Sequence, residues 1–275
     1  MSQATYGSAK APAVPARGAF VSLEGIDGSG KSTQAALLAR LMEGVGLEVV
    51  SLREPGGTQV SEKVRSILLD PANDMMADEC ELLLYEASRA QLVRQVIVPA
   101  LARGAVVLCD RYYDSTYAYQ HGGRGLDEGL VRRCNELGSC GLSPDLTLLL
   151  DIDPALGFER ATRGGVDRME EAGLAFQRRT RDAYLRLATE EPARVRVIDA
   201  RGSQREVLGR LVGELVALLP ALSGGPERPP PQGRRVAWPP RAGTRCSRPS
   251  PPRWRGWASS PACARSSPPP SPRGG

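Results

Sequence analysis

The chain has 275 residues and a formal net charge of +5, with 33 arginines, three lysines and one histidine, His121. A single histidine excludes a multi-histidine zinc site within one chain and leaves a Ser-His-Asp triad only one candidate base. The six cysteines (Cys80, Cys109, Cys134, Cys140, Cys246 and Cys263) contain no CxxC pair, so metal-finger spacing is absent and reduced thiols in a cytosolic protein are expected. The charge is unevenly spread. Residues after 222 hold ten arginines against one acid, a net of +9, so the first 222 residues carry 26 basic and 30 acidic side chains, a net of −4. The basic character belongs to the tail and does not mark the body as a nucleic-acid binder. No run of about 18 apolar residues occurs, so a membrane span is not expected.

Residues 1–18, rich in Ala, Pro, Ser and Gly, read as a flexible leader without the apolar core of a signal peptide. A body over residues 19–222 follows, in which apolar runs of strand length alternate with helical spacing. The first run, Ala19–Glu24, leads into Gly25-Ile26-Asp27-Gly28-Ser29-Gly30-Lys31-Ser32, and a helical stretch over Ser32–Glu43 follows. This matches G-x-x-x-x-G-K-S/T in its strand-to-helix context. Its glycines let successive backbone N–H groups and a helix N-terminus face a polyphosphate, with Lys31 on the terminal phosphates and the Ser32 hydroxyl on Mg²⁺. The motif alone does not choose among GTPase, ATPase and kinase. No N-K-x-D base motif is present, and a motor-type ATPase needs a longer chain, which leaves a small kinase with a second substrate facing the γ-phosphate.

The second run, Glu48–Leu52, is followed by Arg53-Glu54-Pro55-Gly56-Gly57-Thr58. A long helical segment is expected over Glu79–Arg103, with Leu82, Leu83, Tyr85, Ala90, Val93, Val96 and Ile97 sharing a broad face. The third run, Ala105–Asp110, leads into Arg111-Tyr112 and then Asp114–Gln120. The fourth is Leu146–Asp151. After it, Arg160, Arg163 and Arg168 flank Gly164-Gly165, and the fifth run is Val195–Asp199. Near-continuous apolar strands alternating with helices indicate a single three-layer α/β domain with a parallel sheet. Residues 223–275, Pro- and Arg-rich, cannot bury enough apolar surface to fold and read as a disordered tail. The tail could dock an SH3-like partner or a nucleic acid, or be translated readthrough or out-of-frame coding without a selected role.

Taken together, LEGIDGSGKSTQ, REPGGTQ, ELLLYEASRAQ, DRYYDSTYAYQ with GGRGLD, PDLTLLLDI and DRMEE strongly resemble bacterial thymidylate kinases, in order and spacing, over about residues 19 to 200. The resemblance implies a P-loop NTPase fold, with a five-stranded parallel sheet flanked by helices and a mobile lid. It implies transfer of the ATP γ-phosphate to dTMP, giving dTDP and ADP. It puts ATP on Gly25, Ile26, Asp27, Gly28, Ser29, Gly30, Lys31, Ser32 and Thr33, and Mg²⁺ on Ser32 and Asp110. It puts dTMP on Arg53, Glu54, Tyr85, Arg89, Arg111, Ser115, Thr116, Tyr119 and Gln120.

Within that likeness, Arg111 clamps the dTMP phosphate by a bidentate contact. Asp27 organises the transfer centre and the acceptor sugar. Tyr85, where the family more often has Phe, stacks on thymine, and Arg89, four residues on and on the same face, bonds a base carbonyl. Thr116 and Gln120 resemble the pair that reads the pyrimidine edge, and Tyr119 the residue that crowds the sugar. Some relatives carry an arginine in the phosphate loop; here that position is Gly28, so Arg163 and Arg168 of the lid are the candidates for charge on the transition state. His121, where many relatives have Gly, is expected on a surface loop. A homodimer in the cytoplasm, with no nucleic-acid or membrane partner, is also implied. Two alternatives stay open: another nucleoside-monophosphate kinase, acting on UMP or CMP, and a non-catalytic ATP-binding scaffold with a basic tail.

Overall fold

The computed structural model describes residues 17–162 and 173–224. Five apolar runs become five parallel strands: β1 (Phe20–Glu24), β2 (Val49–Arg53), β3 (Val106–Asp110), β4 (Leu146–Asp151) and β5 (Val195–Asp199). Their order in the sheet is β2-β3-β1-β4-β5. β1 lies at the centre, with Leu23 opposite Asp110 on β3 and Ser22 opposite Thr147 on β4. The carboxyl ends of β1, β2 and β3 are therefore side by side, and the loops that leave them meet. That edge of an open parallel sheet is where such folds bind ligands.

Successive residues of a strand serve opposite faces. On β1, Val21 and Leu23 join one cluster, with Leu38 and Met42 of α1 (Lys31–Gly44) and Leu211 and Leu215 of α9 (Gln204–Leu215). Phe20 points to the other face, with Val107 and Cys109 of β3 and Leu92, Val93, Ile97 and Leu101. A third cluster covers Leu149 with Tyr117, Phe176, Tyr184 and Leu187, the last three from α8 (Gly173–Glu190). Each such Leu, Ile or Phe contributes roughly 1.5–3 kcal/mol by leaving water, so the two faces hold the three layers together. The layers are completed by α2 (Gln59–Leu69), α3 (Asp78–Leu92), α4 (Val98–Ala102), α5 (Tyr113–Thr116), α6 (Glu128–Gly138) and α7 (Pro154–Thr162).

Two elements depart from the sequence expectation. The helix expected over Glu79–Arg103 runs from Asp78 to Ala102, but it is not uniformly α-helical: α3 widens into a π-helical turn, Val93–Ile97, before α4. Pro99 supplies the reason, because it lacks an N–H and its ring collides with the carbonyl four residues back. Leu83 is not on the buried face of α3 but 60% exposed. The second departure is His121. It lies within another π-helical turn, Tyr117–Gly123, that continues α5, and its Nδ1 is 2.8 Å from the Leu126 carbonyl oxygen. At the amino end, the Gly18 N–H donates to the Leu101 carbonyl (2.8 Å) and Arg17 pairs with Asp145. Arg163, Arg168 and the Gly164-Gly165 pair lie outside the described residues, as do almost all of the leader and tail.

Candidate active site

The loop between β1 and α1 is built on glycines with positive φ: Gly25 (137°), Gly28 (75°) and Gly30 (92°), the last capping α1. Gly28 has a second constraint. A Cβ there would sit 2.0 Å from the carbonyl oxygen of Gly157 on α7, so loop and helix pack backbone against backbone. This position has no room for an arginine. Lys31 is buried under the loop, its Nζ donating to the carbonyls of Gly25 (2.9 Å) and Ile26 (2.8 Å). Burial and the neighbouring Arg111 charge push its pKa down to about 8. The Ser32 hydroxyl, at the head of α1, donates to Asp110 Oδ2 at the end of β3 (2.5 Å). Two adjacent oxygen donors beside a phosphate loop suit a hard divalent cation. Among the described residues there is no cluster of three or more His, Cys, Asp or Glu that could hold a metal alone, so phosphate or water oxygens would complete the shell.

Asp27 joins this loop to a second cleft, lined by Asp27, Glu54, Pro55, Arg65, Leu69, Tyr85, Arg89, Arg111, Tyr112, Ser115, Thr116, Tyr119 and Gln120. Arg111 Nη2 pairs with Asp27 Oδ1, and Asp27 Oδ2 accepts from the Tyr119 hydroxyl (2.9 Å) and from Gln177 Nε2 (3.2 Å). Burial alone would raise the Asp27 carboxyl, but the Arg111 and Lys31 charges and these bonds hold it below the usual range. Arg111 also donates to the Tyr119 hydroxyl (3.1 Å), the Ser115 hydroxyl (3.2 Å) and the Gly25 carbonyl (3.3 Å). Its backbone stands at φ 71°, a strained conformation for a side chain with a Cβ.

Glu24, the last residue of β1, anchors the segment that follows that strained residue. It is wholly buried and accepts from the Tyr112 N–H (2.7 Å), the Ser115 hydroxyl (2.6 Å) and the Tyr184 hydroxyl (2.8 Å). Burial, with the Asp114 charge nearby, raises its pKa to about 7.

The far end of the cleft is made by α3 and the second π-helical turn. Arg89 is buried. Its Nε donates to Glu54 Oε2 (2.7 Å), its Nη1 pairs with Glu86 and reaches Asn135 (3.5 Å), and its Nη2 donates to Thr116 Oγ1 (2.9 Å). These bonds use four of the five guanidinium N–H groups and leave one on Nη2. Glu54 Oε1 is buried without a partner, and burial raises this carboxyl to about 7 despite Arg89. The π-helical turn brings Tyr119 and Gln120 to the cleft beside Ser115 and Thr116 from the preceding turn.

Of the residues expected on the second substrate, Arg53 does not line the cleft. Its guanidinium donates to the Pro55 carbonyl (2.9 Å) and to Glu62, bracing the Arg53–Thr58 loop from outside. Arg65 takes a place in the lining that the sequence reasoning missed, with its Nη1 donating to the Pro55 carbonyl (2.9 Å). Arg65 stands in α2 without a motif around it, so its residue type alone does not set it apart from other helix arginines. Glu24 and Tyr184 were also missed, although Glu24 directly precedes the glycine loop. On the outer side of that loop, Gly28, Ser29, Gly30 and Thr33 line another cleft with Arg160, Gly202 and Gln204.

A family model described as "Thymidylate kinase" matches residues 23–210. The chain is 46% identical over 206 residues to a thymidylate kinase of Ectopseudomonas mendocina, covering 74% of this chain and 96% of that protein. It is 50% identical over 192 residues to one of Deinococcus radiodurans, covering 70% and 93%. Among solved structures, thymidylate kinase of Ehrlichia chaffeensis matches with a TM-score of 0.61 and 33% identity, over 72% of this chain and 99% of that one.

Proposed function

The chain belongs to the thymidylate kinase family, and we propose that the glycine loop and the cleft behind Asp27 form its single reaction centre. The activity is transfer of the γ-phosphoryl group of ATP to dTMP, giving dTDP and ADP. A phosphate oxygen of dTMP forms the new bond to phosphorus as the bond from the γ-phosphorus to its bridging oxygen breaks. The observation that carries the site assignment is the Asp27–Arg111 pair, which ties the loop to the cleft lining.

ATP phosphates lie along the N–H groups of Gly25–Thr33, with the nucleoside towards Thr33, Arg160 and Gln204. Lys31 leaves its loop carbonyls for the β- and γ-phosphates. Ser32 and Asp110 would hold Mg²⁺, which would neutralise charge on the phosphates. Arg111 and Arg65 receive the dTMP phosphate, Asp27 orients Arg111, and Tyr119 stands against the sugar. Tyr85 stacks on the base, Gln120 and the remaining N–H of Arg89 read its edge, and Thr116 and Glu54 hold Arg89 in place. Arg163 and Arg168 supply lid charge from outside the described residues. The functional body spans 19–222, between a leader and a tail that take no part in the reaction.

Among the described residues no helix is long and apolar enough to cross a membrane, which fits a cytoplasmic enzyme. Leu83 on α3 and Leu137 on α6 are 60% and 78% exposed, on two helices that pack together, and suit the core of a homodimer interface. The test is an acceptor panel with Mg-ATP. dTMP is expected to give the highest kcat/KM among dTMP, dUMP, UMP and CMP, and dominant UMP turnover would overturn the assignment.

A further inference from the structure

We infer that Glu81 is a positioning residue that decides which end of the Gln120 amide faces the pyrimidine, and so makes the site take a base with an N3–H donor and refuse cytosine. The inference rests on the proposal that Gln120 reads the base. Glu81 is wholly buried in the first turn of α3 and is not part of the cleft lining. Its position is one helical turn before Tyr85 and two before Arg89, so all three lie along one stripe.

Glu81 Oε1 accepts from Gln120 Nε2 (2.9 Å) and from Arg124 Nε (3.2 Å), and Oε2 accepts from Arg124 Nη2 (3.0 Å). Arg124 is itself held, by Asp78 (3.4 Å) and over the Phe176 ring (5.1 Å). The two ends of a primary amide are nearly equal in shape, and only their hydrogen bonds distinguish them. A carboxylate paired with a guanidinium accepts and does not donate. It therefore requires the NH₂ end of Gln120 and leaves the carbonyl oxygen for the cleft. Gln120 is 1% exposed, so water cannot compensate a reversed amide.

An acceptor presented to the base pairs with the N3–H of thymine or uracil. Cytosine has a lone pair at N3 and an amino group at C4. It would meet the Gln120 oxygen acceptor-to-acceptor and the free Arg89 N–H donor-to-donor. A site built to bond a given polar group rejects an analogue that leaves buried groups unpaired. The 5-methyl group is not part of this contact, so the device separates thymine and uracil from cytosine but not from each other.

The test is kcat/KM for dTMP, dUMP and dCMP with the full chain and its Glu81→Gln and Gln120→Leu variants. Glu81→Gln offers both a donor and an acceptor and frees the Gln120 amide to turn. It should lose roughly tenfold or more of the preference for dTMP over dCMP, carried by KM more than kcat, while the dTMP to dUMP ratio holds. If Gln120→Leu lowers the dTMP to dCMP preference and Glu81→Gln does not, the role of Glu81 is overturned. A fall in both ratios together, the mark of a loosened cleft, also overturns it. If Gln120→Leu itself leaves the preference intact, the base-reading role of Gln120 fails instead. Should Glu81→Gln not fold, NMR of the wild-type chain decides. The Gln120 side-chain amide, identified by its loss in Gln120→Leu, is expected to show one proton moved downfield by the carboxylate, and free-glutamine shifts would overturn the proposal.

Discussion

Glu24 is wholly buried, faces three donors, and stands directly before the glycine loop and three residues before Asp27. Its pKa rises from 4.5 to about 7 on folding. The sign follows from which state holds the proton. Below about pH 4.5 both states are protonated and the group does not change the balance. Between about 4.5 and 7 the unfolded chain has ionised and the folded chain has not, so stability is lost as pH rises. Denaturant unfolding of wild type and Glu24→Gln at several pH values checks this. The difference should grow in favour of the glutamine variant by about 3 kcal/mol across that window. A constant difference would mean that Glu24 titrates alike in both states. Lys31→Ala is a second case at this scale. Removing the cation proposed to reach the transferred phosphate should lower kcat by about a thousandfold or more, with thermal melting little changed.

The loop after β1 and the first turn of α7 meet through two glycines, and this contact sets what the loop can carry. Gly28→Ala should raise KM for ATP and lower the melting temperature, since its Cβ would press on the Gly157 carbonyl at 2.0 Å and φ is 75°. The conformational part alone costs roughly 1–2 kcal/mol. An unchanged KM with unchanged melting would mean that the loop relaxes freely.

At this scale the sequence was informative about β1, β3 and β4, whose unbroken apolar runs need cover on both faces, and about the glycine loop, whose residue types are dictated by phosphate geometry. It was not informative where a wider turn replaced an α-helical one. The period of Tyr117–Gly123 is invisible in residue types alone, and so was the half-buried place of His121. Arg53 and Arg65 show the same limit. Both are arginines beside one loop, and only the fold decides that Arg65 faces the cleft while Arg53 turns to Glu62. Glu81 was legible only in part: its spacing puts it on the helix stripe of Tyr85 and Arg89, but Asp78 and Glu79 in the same turn carry the same charge, and only the fold shows which acid meets Gln120.

The whole chain carries +5, but its first 222 residues carry −4 and still bind two anionic nucleotides. Local arrangement outweighs bulk charge: one lysine, a few arginines and aligned N–H groups line the site, inside a body otherwise rich in acids. A chain ending after Leu222 should therefore keep kcat/KM for dTMP within about twofold of the full chain, at equal salt, because the charge that matters lies within a Debye length of the substrates, about 8–10 Å. A large loss would give the tail a part in the reaction. If Leu83 and Leu137 form the proposed interface, Leu83→Arg with Leu137→Arg should shift sedimentation from dimer to monomer. A wild-type chain that sediments as a monomer at micromolar concentration would remove that proposal.

In the proposed reaction centre Asp27 and Arg111 act as one unit that ties the phosphate loop to the acceptor cleft. A double-mutant cycle on kcat/KM for dTMP, with Asp27→Asn, Arg111→Ala and both together, measures this directly. Each single change should cost about a hundredfold or more, and the double variant should be little worse than the weaker single. Losses that multiply would mean that the two residues act independently, and would contradict a shared reaction centre.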